Sequence, residues 1–152
     1  MIEEIPKKTV ELTDSRGAIL ILKEGDSEKY TIHSTAGDVA VFPGDPITIN
    51  KKPFGLIHNK ETLSKEDYVY CPLSFGNEPL GVLAILKKEE ISRELTQTLS
   101  ANLSLSLHDA ILYDRLKASY LEAVLSLVTV AETADPEIKE HSQRVRDLSL
   151  KI

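Results

Sequence analysis

The chain divides into two stretches with different patterns of apolar and polar residues, and the change falls near Lys87 and Lys88. Before this point, apolar runs are short and separated by Gly and Pro. After it there is no glycine, and the only proline is Pro136. Short apolar runs between turn residues are typical of strands, and a long stretch without Gly or Pro is typical of helix. The pattern predicts a sheet followed by a helix, which is an α+β fold.

The first stretch predicts an antiparallel sheet, because its apolar segments are joined mostly by short turns. The clearest hairpin is formed by residues 68–75 and 80–86 around Gly76-Asn77-Glu78-Pro79. A short helix is predicted within residues 7–13. The remaining candidate strands are residues 18–22, 29–35, 39–42 and 46–49.

The second stretch predicts one long amphipathic helix. Apolar residues recur every three or four positions from Glu89 to about Ala134. Asp135 is expected to end it, because a residue before proline avoids the helical conformation. About 44 helical residues span ~65 Å, longer than a small domain is wide. The apolar stripe therefore needs cover, and a second copy is the simplest one. We expect a homodimer through residues 91–134, parallel and coiled-coil-like, although the sequence leaves register and direction open.

The middle of this helix is poorer in apolar residues than its two ends. The polar side chains are Ser100, Asn102, Ser104, Ser106 and His108. They indicate either a weakly packed seam, which suits a helix that transmits a signal, or a solvated face.

Composition narrows the class of protein. The 152 residues carry a net charge of −6, without the clustered cations that nucleic-acid binding requires. The single cysteine, Cys71, fits a reducing compartment and is interpreted as a small buried residue. No apolar run reaches the ~20 residues of a membrane span, and the N-terminus lacks a signal-peptide pattern. We expect a cytoplasmic protein that binds neither nucleic acid nor membrane.

Residues 17–86 resemble a GAF domain. The similarity is carried by residues 17–25, 30–37 and 69–84, and residues 110–113 are similar to the helix that follows a GAF sheet. The resemblance implies a GAF-like antiparallel sheet with a long C-terminal signalling helix, and a regulatory sensor. The segment between the second strand and the closing hairpin is short, so a deep pocket is hard to enclose. We hypothesise that this domain binds no cofactor tightly. The input signal and any small-molecule ligand stay unknown.

Residues 119–145 resemble the opening of an HD-GYP domain. That family hydrolyses cyclic-di-GMP at a site of two or three metal ions, and GAF sensors are frequently fused in front of it. The family's later motifs, a His-Asp pair and a Gly-Tyr-Pro segment, do not occur within these 152 residues. The expected organisation is a sheet domain at residues 1–90, a connecting and dimerisation helix at 91–134 and a truncated HD-GYP start at 135–152.

The HD-GYP resemblance assigns roles to Glu137 and His141. Four residues apart on a helix, they project from one face. By spacing alone, an exposed surface pair is the commoner arrangement. The resemblance instead implies that His141 is a metal ligand, with Glu137 as in the members that hold a third ion. Iron or manganese suits this donor pair. Two ligands do not close a site, so we expect neither a catalytic residue nor a bound cofactor in this chain. Arg144 follows the motif too, but is interpreted as a solvated charge.

The sequence therefore predicts a regulatory sensor and dimerisation module of a GAF–HD-GYP cyclic-di-GMP phosphodiesterase. The alternative is a stand-alone GAF-like module that dimerises or binds a small molecule, with no enzyme activity. No catalytic triad is recognised around His33 or His58, and no glycine-rich phosphate loop is present.

Overall fold

A five-stranded antiparallel sheet flanked by helices forms the first part of the fold. The computed structural model of the chain describes residues 2–25, 27, 29–44, 62–65, 67–134 and 136–150. The sheet has the spatial order β2-β1-β5-β4-β3. The strands are β1 (Gly17–Lys23), β2 (Tyr30–Gly37), β3 (Leu63–Lys65), β4 (Tyr68–Phe75) and β5 (Glu78–Leu86). The helices are α1 (Ile5–Thr13), α2 (Arg93–Ala134) and α3 (Pro136–Ser149). The predicted α+β class, with an antiparallel sheet and a long C-terminal helix, is confirmed.

The predicted closing hairpin is present as β4 and β5, with Phe75 opposite Glu78. Gly76 has a φ of 59° in the two-residue turn, a left-handed conformation that glycine adopts at little cost. Farther along β5, a Cβ on Gly81 would lie 2.1 Å from the carbonyl oxygen of Ile21. The hairpin and its packing against β1 therefore both depend on glycine.

The two faces of the sheet carry different side chains, because strand residues alternate between faces. On one face, Leu20 of β1 lies in register with Leu83 of β5, which pairs in turn with Cys71 of β4. These three residues are fully buried. The opposite face has its own buried cluster, which consists of Ile19, Ile21, Tyr30, Ile32, Val82 and Ala84.

Residues 39–42, predicted as a strand, do not form one, and that prediction is wrong. Val39 donates its backbone N–H to the Gly37 carbonyl at 3.1 Å, a contact within the chain's own turn. Val39 and Val41 pack instead on the Ile19 face of the sheet. Residues 46–49 lie outside the described residues. The sequence did not predict β3, which has only three residues.

Both long-helix boundaries have local causes. α2 begins at Arg93, four residues later than predicted, because Ser92 caps it: its Oγ accepts the Leu95 N–H at 3.2 Å. The helix ends at Ala134, and Pro136 opens α3, where its missing N–H costs nothing.

The chain forms two compact units, Met1–Ala110 and Ile111–Ile152. The predicted divisions at 1–90, 91–134 and 135–152 stay predictions. Among the described helices, none combines the length and the apolar character needed to cross a membrane.

Candidate functional site

The first half of α2 lies against an open edge of β4. β3 pairs with β4 only from Tyr68 to Tyr70, so the rest of that edge has no strand partner among the described residues. An uncovered strand edge exposes backbone donors and acceptors, and covering it with a helix is one way proteins protect it. Here the helix meets the edge with hydroxyl groups.

Two serines of α2 bind the backbone of β4. The Ser100 hydroxyl donates a hydrogen bond to the Pro72 carbonyl oxygen, and the Ser104 Oγ accepts the backbone N–H of Ser74 at 3.0 Å. Ser104 is buried, with 6% of its surface exposed. Ser74 is half-buried on an edge without a strand partner, and Ser104 gives its backbone N–H a hydrogen-bond acceptor.

The spacing of helix and strand explains why these two contacts form together. Ser100 and Ser104 are four residues apart, which is ~6.0 Å along a helix. Pro72 and Ser74 are two residues apart, which is ~6.6 Å along a strand, and their backbone groups point to the same side. The two polar contacts can therefore be satisfied together. We call Ser100, Ser104, Pro72 and Ser74 the hydroxyl ladder.

The docked half of α2 repeats every four residues. The chain reads Leu-Thr-Gln-Thr, Leu-Ser-Ala-Asn, Leu-Ser-Leu-Ser and Leu-His-Asp-Ala over residues 95–110, followed by Ile111. The second residue of each unit can form hydrogen bonds; these residues are Thr96, Ser100, Ser104 and His108. The first residues are all leucine, and Leu107 is the most deeply buried of them, at 1% exposure. Sequence reasoning recognised the leucine spacing but did not recognise the polar positions as contact residues, although this repeat was available as a signal.

His108 is the last polar member of the repeat, and its contacts differ from those of the serines. Its ring stacks on Phe75, with centroids 3.6 Å apart and planes at 14°. Its buried Nδ1 atom has no hydrogen-bond partner among the described residues. The Asp109 carboxylate lies 3.8 Å from Nδ1, which is too long for a hydrogen bond. Nδ1 is thus a buried polar atom left unsatisfied in this position of the helix.

Lys87 ties the segment that leads into α2 to the outer strand β3. Its Nζ donates to Ser64 Oγ and to the Glu90 carboxylate, both at 3.1 Å, and its side chain is only 13% exposed. A shallow cleft of about 310 Å³ opens beside it. The cleft is lined by Thr62, Ser64, Val69, Glu90, Ile91, Arg93 and Thr96. Its lining mixes cationic and anionic groups, so it has no clear preference for one class of ligand.

The opposite sheet face presents aromatic surface. Tyr68 and Tyr70 are partly buried against the Ile19 cluster, and their rings stack with centroids 5.9 Å apart. Such a surface suits contact with an apolar or planar group. Residues 45–61, which belong to the segment expected to form any GAF ligand pocket, lie outside the described residues. The predicted lack of a tightly bound cofactor therefore stays a prediction.

Cys71 is fully buried, as predicted. Burial raises the pKa of its thiol from 9.0 to about 12. The thiolate is the reactive form of cysteine, so this residue is inert near neutral pH.

The predicted metal pair lies on α3. His141 is exposed, and the side chain of Glu137 lies outside the described residues. Arg144 is also exposed, and its guanidinium lies 4.0 Å from the Glu140 carboxylate. Within the described part of the chain, no three His, Cys, Asp or Glu side chains gather closely enough to hold a metal ion. The metal assignment is thus neither supported nor contradicted.

Several solved GAF domains share this fold. The second GAF domain of DevS from Mycobacterium smegmatis matches with a TM-score of 0.63 and 14% identity, covering 76% of this chain and 96% of that one. The GAF domain of a phosphoenolpyruvate-protein phosphotransferase from Coxiella burnetii matches with a TM-score of 0.59 and 16% identity, covering 78% and 84%.

A third match is the GAF domain of a two-component sensor histidine kinase from Bacillus halodurans, with a TM-score of 0.56 and 14% identity, covering 71% of this chain and 92% of that one. No family model and no curated protein matches the sequence. At these identities the likeness shows the fold.

Proposed function

We propose that this GAF-fold chain is the regulatory sensor and relay module of a cytoplasmic cyclic-di-GMP phosphodiesterase of the GAF–HD-GYP type. Two similarities support the proposal. The fold matches GAF domains, one of them from a sensor histidine kinase. Residues 119–145 resemble the start of an HD-GYP domain. The unbroken helix α2, Arg93–Ala134, joins the sheet to that segment and is the natural carrier of a signal.

The relay is supported by the four-residue repeat of α2, two members of which, Ser100 and Ser104, bind β4 in the hydroxyl ladder. Because each unit has a leucine at its first position and a hydrogen-bonding side chain at its second, the helix can shift by one unit along β4 and again place a hydrogen-bonding side chain against each backbone group. Ser104 would then donate to Pro72, and His108 Nδ1 would accept the Ser74 N–H. The shift gives a partner to the His108 atom that lacks one now.

A one-unit shift is a defined screw motion. It moves the helix ~6 Å along its axis and rotates it by ~40°, because four residues complete 1.11 turns. Ile111 would take the place of Leu107, so an apolar residue stays at the buried position. Shifts of one helical turn between two packed arrangements are an established type of switch. A ligand that binds one arrangement better than the other would bias the equilibrium.

At the output end, Glu137 and His141 would be the first metal ligands of the complete downstream domain. A carboxylate and an imidazole suit iron or manganese, which would activate water for phosphodiester hydrolysis. The other donors must come from residues outside this chain, since bound metals need four to six.

The downstream assignment is tested on the natural gene and its product. The reading frame past codon 152 should encode a His-Asp pair, further histidines and a Gly-Tyr-Pro segment, and the full-length protein should hydrolyse cyclic-di-GMP. A stop codon, or an inactive full-length protein that has bound its metal, would overturn the phosphodiesterase proposal.

The relay is tested with paired cysteines. Ser74→Cys with Ser104→Cys should form a disulfide in the present register, and Ser74→Cys with His108→Cys should form one in the shifted register. Ser74→Cys with Ser106→Cys is the matched control, because Ser106 is exposed on another side of the helix. If only the first pair forms a disulfide, or the second pair forms no faster than the control, the two-register relay is wrong.

A further inference from the structure

His108 differs from the other three polar members of the α2 repeat, because they are hydroxyl residues and it is titratable. A hydroxyl group both donates and accepts hydrogen bonds, so it can bind a backbone N–H or a carbonyl at any physiological pH. A neutral imidazole has one donor and one acceptor nitrogen, whereas a protonated imidazole has two donors and no acceptor. Histidine ordinarily changes between these forms from pH 5 to pH 8. The contacts open to His108 therefore depend on pH.

The present register of α2 suits the protonated ring. Nδ1 is buried without a hydrogen-bond partner among the described residues, and the Asp109 carboxylate lies 3.8 Å from it. The Asp109 side chain is 70% exposed, so it has room to turn toward a charged Nδ1–H. Stacking on Phe75 at 3.6 Å adds the attraction between a cation and an aromatic face. Protonation thus gives Nδ1 a partner without any movement of the helix.

The shifted register suits the neutral ring. In that register Nδ1 would accept the Ser74 N–H, which requires a lone pair on the nitrogen. A protonated Nδ1 would instead point its own N–H at the N–H of Ser74, so that two donors face each other. Leu112 lies four residues beyond His108 and would replace its ring on Phe75 with an apolar side chain. The two registers therefore prefer different protonation states of one side chain.

The charged groups around the ring favour its protonation. Within one helical turn of His108 along α2, the only charged residue is Asp109. On the β4–β5 hairpin, which contacts the ring, positions 71–81 contain one charged residue, Glu78. Both groups are carboxylates, and a nearby negative charge stabilises a protonated imidazole. The buried Cys71 thiol on the same hairpin stays neutral in this pH range, because burial raises its pKa to about 12.

We propose that a proton on His108 is an input signal of this module: acid holds α2 in the present register, and loss of the proton releases it to the shifted one. The inference rests on the relay proposed above, because it needs two registers. A ligand biases two states by its different affinity for each, and here the proton binds the present register more tightly. One hydrogen bond lost in the shifted register and one partly exposed ion pair gained in the present one should lower the ratio of present to shifted register by ~10-fold from pH 5 to pH 8.

NMR of the isotopically labelled 152-residue chain tests which group accepts the Ser74 N–H. At pH 8 a scalar coupling across the hydrogen bond should connect the Ser74 nitrogen with His108 Nδ1, and at pH 5 this coupling should disappear. His108→Gln should make the Ser74 amide signal independent of pH, because glutamine does not titrate. The matched control is His33→Gln on the exposed side of β2, which should keep the pH response of the parent. A coupling absent at both pH values, or a pH response that survives in His108→Gln, overturns the inference.

The role of the neighbouring carboxylate is tested with Asp109→Asn. Without this charge the coupling between Ser74 and His108 should persist to a lower pH. Asp114→Asn removes an exposed carboxylate five residues farther along the helix and should have no such effect. Equal responses of the two variants would contradict the proposed stabilisation of the protonated ring.

The paired cysteines separate the failure of this inference from failure of the relay. If both registers form their disulfides but the acceptor of the Ser74 N–H does not change with pH, the proton is not the input and the relay stands. If the shifted-register disulfide does not form and the acceptor is Ser104 at both pH values, the relay and the proton inference are both wrong.

Discussion

Replacing Ser104 with alanine removes the acceptor for a backbone donor of β4 and is the sharpest test of the docked helix. In the structure the Ser74 N–H bonds to Ser104 Oγ at 3.0 Å, and Ser104 is buried. Leaving a fully buried N–H without a partner costs ~1–3 kcal/mol, and this is the upper range for the half-buried Ser74. Alanine regains ~0.5 kcal/mol through its higher helix propensity. The net loss should be ~0.5–2.5 kcal/mol in the free energy of unfolding.

Ser106→Ala is the matched control for this change. Ser106 lies two residues away in the same helix and is exposed, so its replacement removes no buried contact and should stabilise by up to ~0.5 kcal/mol. Urea denaturation of both variants gives the difference directly. Hydrogen exchange at the Ser74 amide should be faster in Ser104→Ala only. If the two variants have the same stability and the same Ser74 exchange rate, the hydroxyl ladder does not hold the helix.

Three further outcomes are expected. Leu107→Ala should destabilise the protein by ~2–5 kcal/mol in the same denaturation assay, whereas exposed Leu105→Ala should cost under ~1 kcal/mol. Burial raises the pKa of the Cys71 thiol from 9.0 to about 12 in the folded protein. The thiol therefore ionises at a lower pH in the unfolded chain than in the folded one, and the free energy of unfolding falls as the pH rises above 9. The stability of the parent relative to Cys71→Ala should therefore drop by ~1.4 kcal/mol between pH 8 and pH 10 in urea titrations, and an unchanged difference would refute this. Native mass spectrometry of the purified chain should show no small molecule bound at one per chain; such a molecule would refute the hypothesis that no cofactor is held tightly.

The closing hairpin and the long helix could be predicted because each depends on local signals. Gly76 marks the turn, and the absence of Gly and Pro after Lys88 marks the helix. The short strand β3 could not be predicted, since three residues carry too little pattern. Residues 39–42 have the composition of a strand, yet Val39 and Val41 cover a sheet face instead of joining an edge. Composition does not distinguish those two ways of burying valine.

The docking face of α2 was missed for a different reason. Periodicity analysis counts apolar residues, whereas Ser100 and Ser104 contact β4 through hydroxyl groups. Their role also depends on an open strand edge, which is a property of the sheet order and not of any local sequence. The sequence left two alternatives for this region, a weak seam or a solvated face. In the structure each alternative holds for part of the region: Ser104 is buried against β4, whereas Asn102 and Ser106 are exposed to solvent.

Hydrolysis by proteins locked in each register shows whether the register of α2 on β4 controls a downstream phosphodiesterase. Cyclic-di-GMP hydrolysis is measured for the full-length protein with Ser74→Cys paired either with Ser104→Cys or with His108→Cys, before and after oxidation. The two disulfides should fix two different rates, and reduction should return both proteins to a common rate. If both disulfides form and both oxidised proteins hydrolyse at the rate of their reduced forms, the helix register does not control the enzyme.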